Sequence, residues 1–402
     1  MGRKDRFIAA LDIGTTKTCA IIADPGETGL RFLGHGSTDS HGGRRGQIVN
    51  LDSAVASIRQ AIEAAESEAG SPIESAVIGV AGSHIRGLNS RGGISLGRRP
   101  RDVRREDVRE AVQAARGITL PSGREILHVL PQEFVLDAQD GIRDPIGMVG
   151  QRLEADVHIV TSSATAVQNV ITAVNRAGVT VSDTVLEPLA AAEACLTDDE
   201  RELGCCLVDL GGGTTEIIVF SGGVVRHTAA FPVGGDHFTN DLAVGLRTPI
   251  PEAQRVKCEH ASAWKGTFPD GTEIEVGSVG DRPPRTVLSR SIAEITQARG
   301  QELLVLIRDD LQRGGLDAQI PAGFVFTGGA ARLRGFLELA EQTFLLPVRM
   351  AGPRPLPSMP DDLAEPEFSA AVGLILYGVR MRLSGGQDGN ARGGWWSRIF
   401  GS

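Results

Sequence analysis

Hydrophobic positions near the start of the chain form short continuous runs and one run with helical spacing. Phe7 to Leu11 and Cys19 to Ile22 are apolar, which predicts two strands on either side of a glycine-containing turn. After Asp52, apolar residues stand at positions 55, 58, 62 and 65. This period predicts a helix that is N-capped by Asp52 and ends at Gly70.

The alternation of strands and helices continues along the chain. Ser75 to Gly82 has the character of a buried strand, and apolar positions after Ser163 predict a helix that closes at Gly178. This order is typical of an α/β body. Between Ile85 and Val157 the sequence becomes rich in arginine and glycine around a helix at Glu106 to Arg116, which indicates an inserted small domain.

The pattern of the first residues returns in the second half of the chain. The first copy has an apolar strand, then Asp12-Ile13-Gly14-Thr15-Thr16-Lys17 and a second strand. The second copy begins at Leu207, continues as Asp209-Leu210-Gly211-Gly212-Gly213-Thr214-Thr215, and ends in the strand Glu216 to Phe220. An internal duplication of this kind predicts two similar lobes.

Composition and charge narrow the class of protein. The 402 residues are 41% hydrophobic and 23% charged, as in globular proteins, and the net charge of -9 argues against a broad nucleic-acid surface. Five cysteines without paired spacing favour a reducing compartment, and eight scattered histidines predict no metal site built from protein ligands alone. The longest apolar run, at about 370–379, is shorter than the ~20 residues of a spanning helix.

The two glycine-rich turns have the chemistry of a phosphate site. Backbone N–H groups approach a polyphosphate closely where glycine removes the side chain, and threonine hydroxyls add donors. Neither copy ends in Gly-Lys-Ser/Thr, and each leads into a strand rather than a helix, so P-loop and dinucleotide fingerprints are excluded. Asp12 and Asp209 are expected to face each other across a cleft and to hold Mg²⁺ through water. A single loop of this type is more often an ordinary turn.

Three further segments complete a pattern: Leu186 to Ala192 and Phe368 to Gly378 are small-residue helices, and Phe324 to Phe336 predicts strand, glycine turn and helix. With the two loops, they resemble the superfamily of actin, Hsp70 and sugar kinases. The resemblance implies a bilobed α/β ATPase fold in which Asp12, Glu187 and Asp209 form the catalytic and water-mediated Mg²⁺ group. The ATP-binding residues that it implies are Gly14, Thr15, Thr16, Lys17, Gly211, Gly212, Gly213, Thr214, Thr215, Gly234, Gly235, Gln254, Lys257, Gly328, Gly329 and Ala330. Lys17 is equally compatible with an exposed strand position.

A closer resemblance lies in Gly234 to Ala243, in Val279 to Arg285 and in the insertion. These segments are similar to FtsA, a family of bacterial cell-division proteins. The resemblance implies self-association like actin, binding of the C-terminal tail of the tubulin-like protein FtsZ at about 236–320, and recruitment of later division proteins through the inserted domain. It also implies weak or no ATPase activity, and a peripheral location at the division site on the cytoplasmic face of the inner membrane.

One position departs from that family. Its members usually have Glu where this chain has Gln254, and that Glu is expected to bind the ribose. Gln254 keeps donor and acceptor atoms but loses the charge-assisted component of the bond, so weaker nucleotide binding is expected. The alternative is that Gln254 and Lys257 simply share an exposed helix face.

The tail beyond Tyr377 divides into a glycine-rich linker and an apolar tip. On a helix, Trp395, Trp396, Ile399 and Phe400 fall on one side and Arg398 points away, which predicts an amphipathic helix that binds inner-membrane lipid. A disordered or core-packed tail is the alternative. The predicted domains are 1–84 and 158–204 (first lobe), 85–157 (insertion), 205–352 (second lobe), 353–380 (return helix), 381–393 (linker) and 394–402 (membrane helix).

Three other functions compete on the same fold. A small-molecule kinase would use a carboxylate to deprotonate a substrate hydroxyl, but it has no use for an apolar tip on a linker. An actin-like adaptor of type IV pilus assembly generally lacks the terminal helix. A chaperone would need a substrate-binding β domain after Gly378, for which the chain is too short.

Overall fold

The computed structural model describes residues 7–26, 29–267, 271–280 and 282–385. The strands, in chain order, are β1 (Ile8–Ile13), β2 (Lys17–Gly26), β3 (Gly29–Asp39), β4 (Gly43–Arg44), β5 (Gln47–Ile48), β6 (Ser75–Val80), β7 (Arg86–Ser95), β8 (Arg101–Asp102), β9 (Arg124–Leu136), β10 (Gln139–Ile142), β11 (Val149–Gly150), β12 (Arg152–Ser163), β13 (Thr180–Leu186), β14 (Cys205–Leu210), β15 (Thr215–Ser221), β16 (Val224–Phe231), β17 (Glu273–Val276), β18 (Arg285–Leu288), β19 (Phe324–Thr327) and β20 (Val348–Met350). The helices are α1 (Leu51–Ala69), α2 (Arg105–Arg116), α3 (Ala164–Arg176), α4 (Glu187–Cys195), α5 (Asp198–Leu203), α6 (Gly235–Gly245), α7 (Ile250–His260), α8 (Ser289–Arg313), α9 (Phe336–Phe344) and α10 (Ser369–Gly385).

Two five-stranded sheets share one topology. The first has the order β13-β6-β1-β2-β3, with β1, β2 and β3 antiparallel and with β6 and β13 parallel to β1. The second has the order β16-β15-β14-β19-β20, with the same antiparallel meander and the same two parallel strands. The predicted α/β fold with two similar lobes is therefore confirmed.

The caps of α1 correct one detail of the sequence interpretation. Its N-cap is Asn50, whose side chain accepts a hydrogen bond from the backbone N–H of Ser53, whereas Asp52 lies within the first turn. There the Asp52 carboxylate favours the helix through the positive end of its dipole rather than by capping. Gly70 ends the helix as predicted, in a left-handed conformation with φ of 64°.

Helices α4 and α10 lie in a core that both sheets share. That core joins side chains of β1 and β2 with side chains of β14 and β15. The two helices approach each other closely at Gly373, where a Cβ atom would stand 1.9 Å from the carbonyl oxygen of Ala190. Small residues are thus required for the contact itself. The α10 helix continues to Gly385, so the first residues of the predicted 381–393 linker are helical.

The inserted domain is a four-stranded sheet covered by one helix. The strand order is β10-β9-β12-β7, and α2 packs on this sheet over a core that includes Phe134 and Val108. Strand β12 runs from Arg152 to Ser163 and leads directly into α3. The expected boundary at residue 157 therefore falls inside a strand, because the sheet of the insertion continues to the start of the next helix.

The inserted domain also contacts the edge strand β16 of the second sheet. His158 is buried there, with Nδ1 2.7 Å from Asn89 Oδ1 and Nε2 2.9 Å from the hydroxyl oxygen of Thr228. Gln132 Nε2 donates to the carbonyl oxygen of Val225 at 2.8 Å. A segment inserted into the first lobe is thus docked on the second.

A smaller subdomain of the second lobe contains α6, α7, part of α8 and the hairpin of β17 and β18, around a separate core. No helix in the part of the chain that the structure describes is long and apolar enough to cross a membrane. The predicted membrane helix at 394–402, with Trp395, Trp396, Arg398, Ile399 and Phe400, lies outside the described residues.

Candidate functional site

Each sheet contributes one hairpin turn of the same geometry to the space between the lobes. In β1 and β2, Ile13 pairs with Thr18 and the Gly14 N–H donates to the carbonyl oxygen of Lys17 at 2.9 Å. In β14 and β15, Leu210 pairs with Thr215 and the Gly211 N–H donates to the carbonyl oxygen of Thr214 at 3.0 Å. These two glycine N–H groups serve the turns themselves and are not directed at a ligand.

The two loops pack against each other. A Cβ atom on Gly212 would lie 2.4 Å from the Thr16 methyl group, and one on Gly213 would lie 2.6 Å from the Thr15 hydroxyl oxygen. Both distances are below van der Waals contact, so glycine at positions 212 and 213 is required by the threonines of the first loop. The backbones of the two loops consequently come close enough to act on one small anion.

Two predicted ligand-binding residues have other roles. The pairing of the hairpins makes Thr215 equivalent to Thr18, not to Thr16, and the buried Thr215 hydroxyl donates to the carbonyl oxygen of Val233 at 2.7 Å. Gly234 lies behind the second loop, where a Cβ atom would stand 2.7 Å from the carbonyl oxygen of Gly211. Both residues support the loop from behind and do not line the space in front of it.

A cavity of about 1070 Å³ lies in front of the loops. Its wall includes residues from both sheets, from α4, from α7 and from the turn after β19. The predicted site residues that line it are Asp12, Gly14, Thr15, Thr16, Lys17, Glu187, Asp209, Gly211, Gly212, Gly213, Thr214, Gly235, Gln254, Lys257, Gly328, Gly329 and Ala330. Residues that are far apart in the sequence therefore share one cavity.

Four carboxylates gather at the inner end of the cavity. Burial raises the pKa of Asp209 to about 7, with a contribution from Asp12, and raises the pKa of Glu216 to about 8, with a contribution from Asp209. Burial raises the pKa of Asp12 despite the opposing charge of Lys17, and raises the pKa of Glu187 well above its ordinary value. Burial and mutual repulsion therefore disfavour the ionised forms of these four carboxyl groups.

Glu216 was absent from the residues predicted from sequence. It stands directly across the second hairpin from Asp209, and its Oε1 accepts a hydrogen bond from the buried N–H of Gly82 at 2.9 Å. Two signals could have identified it. A single acidic residue opens the apolar strand Glu216 to Phe220, and a four-residue loop places that residue opposite Asp209.

Glycines make room for two of the carboxylates. A Cβ atom on Gly79 would lie 2.8 Å from Glu187 Oε1, so β6 can pass beside that side chain only without one of its own. Gly328 has φ of 85°, and a Cβ atom there would lie 2.4 Å from Asp209 Oδ1. The turn after β19 is thus shaped around Asp209.

Lys17 is the basic residue of this inner end. Its Nζ lies 3.6 Å from Asp12 Oδ2 and 4.1 Å from the centre of the Phe368 ring, and this buried atom has no hydrogen-bond partner. A buried ammonium group without hydrogen bonds is costly unless a ligand accepts them. Lys17 is therefore held in the cavity wall, and not on an exposed strand face.

The outer wall contains Gln254, the position where the sequence departs from the family it resembles. Gln254 is exposed at the cavity, and its Oε1 accepts from the Thr239 hydroxyl at 2.7 Å. Lys257 Nζ donates to the carbonyl oxygen of Gly235 at 3.1 Å, and burial lowers its pKa. Both side chains thus lie at the cavity and not on a helix face turned away from it.

The donor set fits a divalent cation that is bound through water. Among the residues that the structure describes, no three His, Cys, Asp or Glu side chains converge closely enough to ligate a metal directly. The four carboxylates at the inner end of the cavity lie beside the ammonium group of Lys17 and repel one another when ionised. Mg²⁺ usually keeps several of its waters, and carboxylates at this spacing would accept hydrogen bonds from them.

Comparisons with known proteins agree with this geometry. The family model of cell division protein FtsA matches residues 206–373, and that of the SHS2 domain inserted in FtsA matches residues 82–161. The chain is 43% identical to the cell division protein FtsA of Pseudomonas aeruginosa over 94% of this chain and 91% of that protein. It is 35% identical to FtsA of Escherichia coli K12, over 98% and 96% of the two chains.

Solved structures of more distant proteins show the same fold. A chain of the PilM-PilN type IV pilus biogenesis complex superposes with a TM-score of 0.66 at 17% identity, over 92% of this chain and 98% of that one. MreB5 of Spiroplasma citri bound to ADP superposes with a TM-score of 0.55 at 14% identity, over 94% and 96%. Identities this low establish only the actin-like fold. The sequence relatives establish the family and its role in cell division: this chain belongs to the FtsA family of cell-division proteins.

Proposed function

We propose that this protein binds Mg·ATP between its lobes and tethers the FtsZ ring to the cytoplasmic face of the inner membrane at the division site. The observation that carries the nucleotide part is the pair of equivalent glycine turns that face one cavity, beside four carboxylates and the ammonium group of Lys17, which pairs with Asp12 but has no hydrogen-bond acceptor. The solved structure of MreB5 with ADP supports a nucleotide on this fold.

The phosphates would lie against the loops. Gly14 and Gly211 shape the two turns, so the backbone N–H groups of Thr15, Thr16, Gly212 and Gly213 are the ones left to face them. Hydroxyls of Thr15, Thr16 and Thr214 add donors, and Lys17 Nζ gains a hydrogen-bond acceptor.

Bound Mg²⁺ would neutralise the phosphates and the surrounding carboxylates. Asp12, Glu187 and Asp209 would accept hydrogen bonds from its waters and so fix its position. The adenosine end would extend past Gly328, Gly329 and Ala330 towards Gly235, Gln254 and Lys257 at the outer wall. Gln254 offers a neutral amide there, which favours weaker binding than a carboxylate would give to a ribose hydroxyl.

Calorimetry tests this site directly. Asp209→Ala removes an acceptor for metal-bound water, so Mg²⁺-dependent ATP affinity should fall at least about tenfold, whereas Asp317→Ala, an exposed carboxylate outside the cavity, should leave it unchanged. Equal affinities for the two folded variants would remove the assignment.

The nucleotide is also proposed to control self-association. A ligand that contacts both lobes favours the closed arrangement over the open one, and can thereby select a form that assembles like actin. Electron microscopy on lipid should show ATP-dependent filaments or arcs. Identical monodisperse particles with and without ATP would contradict this part of the proposal.

The tethering role requires two attachments. The FtsZ tail would bind the subdomain at about 236–320, and later division proteins would bind the inserted domain. At the membrane, four apolar side chains of the 394–402 segment contribute roughly 1.5 to 3 kcal/mol each on full burial, less the cost of ordering the tail. One copy is thus a weak peripheral anchor, and assembly strengthens attachment by multivalency.

Vesicle sedimentation tests the anchor. Deletion of residues 394–402 should abolish sedimentation with anionic vesicles and leave ATP binding intact. Trp396→Ala should weaken sedimentation, because it removes one of the large apolar side chains, whereas Ser397→Ala should not. Retained lipid binding after the deletion would show that the anchor lies elsewhere in the chain.

A further inference from the structure

The point where the chain leaves the first lobe for the inserted domain lies beside the cavity. Gly82 follows β6 directly and has φ of 126°, a left-handed conformation that glycine adopts readily. The match to the family model of the inserted domain begins at this residue. Gly82 also packs against the β4–β5 hairpin, because a Cβ atom on Gly46 would stand 2.4 Å from its Cα.

Glu216 of the second lobe contacts Gly82. Glu216 belongs to β15, lines the cavity and is 3% exposed, and its Oε1 accepts the Gly82 N–H at 2.9 Å. The bond therefore crosses between the lobes at the cavity wall. Its donor is a backbone group at the start of the insertion, and its acceptor stands opposite Asp209 in the second hairpin.

Other contacts between the inserted domain and the second lobe lie farther from the cavity. Thr228 of β16 bonds His158 of β12, and neither residue lines the cavity. This contact holds the inserted domain on the second lobe but has no direct access to a ligand. Glu216 differs because it both lines the cavity and is bonded to Gly82.

We propose that Glu216 is a positioning residue that links ligand in the cavity to the inserted domain, by accepting the Gly82 N–H when the lobes are closed. The inference rests on the proposed Mg·ATP site. A ligand that spans the lobes would fix β15 relative to the end of β6 and so maintain the Glu216–Gly82 hydrogen bond. When the lobes move apart, this bond opens and frees the start of the insertion to reorient.

Hydrogen exchange measured by mass spectrometry tests the link, on a peptide that covers residues 80–86 of the full chain. Calorimetry on the same samples establishes that Mg·ATP is bound, and exchange is compared at saturation and without ligand. In the wild type, Mg·ATP should slow exchange of the Gly82 amide by about tenfold, the effect of one hydrogen bond.

Substitutions distinguish the contribution of the Glu216 acceptor from that of the remaining contacts between the inserted domain and the second lobe. Glu216→Gln keeps an oxygen that accepts the same bond and should keep most of the ligand-dependent protection. Glu216→Ala and the longer apolar Glu216→Met remove the acceptor, and each should reduce the effect of Mg·ATP to less than about twofold. Thr228→Val removes the bond to His158, one of the contacts away from the cavity, so the ligand-dependent difference should remain close to that of the wild type.

Three results would overturn the link. The first is full ligand-dependent protection of the Gly82 amide in whichever of Glu216→Ala and Glu216→Met folds. The second is loss of that protection in Glu216→Gln. The third is loss of that protection in Thr228→Val, which would assign the effect to the interface as a whole. If the wild type binds no Mg·ATP in calorimetry, the proposed site itself fails, and the two failures are thereby distinguished.

Discussion

Replacing Asp209 by asparagine should stabilise the ligand-free protein while weakening its response to Mg·ATP. Burial, with help from Asp12, raises the pKa of Asp209 from 3.8 to about 7. A raised carboxyl pKa means that the folded state binds a proton more tightly than the unfolded state. The stability contribution of Asp209 is therefore fully present below pH 4 and is lost as the pH rises to about 7.

The magnitude follows from the shift. About three pKa units at ~1.4 kcal/mol per unit give an upper value of about 4 kcal/mol. One side of Asp209 faces the water of the cavity, which reduces the value to about 2 kcal/mol. With ~2.1 cal/mol/K of unfolding entropy per residue, a chain of 402 residues changes its melting temperature by about 2 to 3 °C for that amount. Asp209→Asn should raise the melting temperature by this amount at pH 8 and by about a third of it at pH 5.

Thermal unfolding in EDTA, and again with saturating Mg·ATP, measures both effects. At about 100 times its dissociation constant, a ligand adds about 2.7 kcal/mol to the folded state, and Asp209→Asn should lose most of this gain because an amide accepts hydrogen bonds from metal-bound water less strongly. A ligand-free melting temperature at pH 8 that equals or falls below that of the wild type would refute the reasoning about burial.

Three other substitutions have defined outcomes. Gly328→Ala should lower the free energy of unfolding by about 2 to 4 kcal/mol and weaken Mg·ATP binding. The new Cβ would lie 2.4 Å from Asp209 Oδ1, and the backbone there has φ of 85°. Urea unfolding measures the first effect and calorimetry the second. Gly373→Ala should destabilise the chain by at least about 2 kcal/mol in urea unfolding, because the Ala190 carbonyl oxygen lies 1.9 Å from the new Cβ, despite the better helix propensity of alanine. Burial lowers the pKa of His158 to about 3, with a contribution from His227, so its stability contribution is present above pH 6.5 and is lost as the pH falls towards 3. Between pH 6.5 and 5, the free energy of unfolding should therefore fall by about 2 kcal/mol less in His158→Gln than in the wild type. Unfolding curves at both pH values measure this difference.

The fold could be predicted from sequence because its signals are local and repeated. A strand, an aspartate and a glycine turn occur twice, and each copy forms the hairpin that was expected. The Gly70 helix stop and the helix after Ser163 are also local, since a cap acts within one turn of its helix.

The parts of the site that sequence did not predict depend on register and on distant contacts. Thr215 resembles a ligand-binding threonine in the sequence, but loop length decides which side of a strand it occupies, and pairing with Leu210 directs its hydroxyl to Val233. The docking of His158 on Thr228 joins residues 70 positions apart, and no periodicity in either segment signals that contact. Asn50 rather than Asp52 caps α1, a difference of two positions that propensity alone does not resolve.

The packing of the two loops has a consequence for how this chain can change over time. The loops are related by an approximate twofold axis, which places Thr16 against Gly212 and Thr15 against Gly213. Two loops that both carried threonine would bring threonine against threonine at both points, where the distances leave no space for a second side chain. At each contact, only one of the two loops can therefore carry a side chain. A larger residue in one loop becomes acceptable only after its partner has become smaller, so these four positions are expected to covary as pairs.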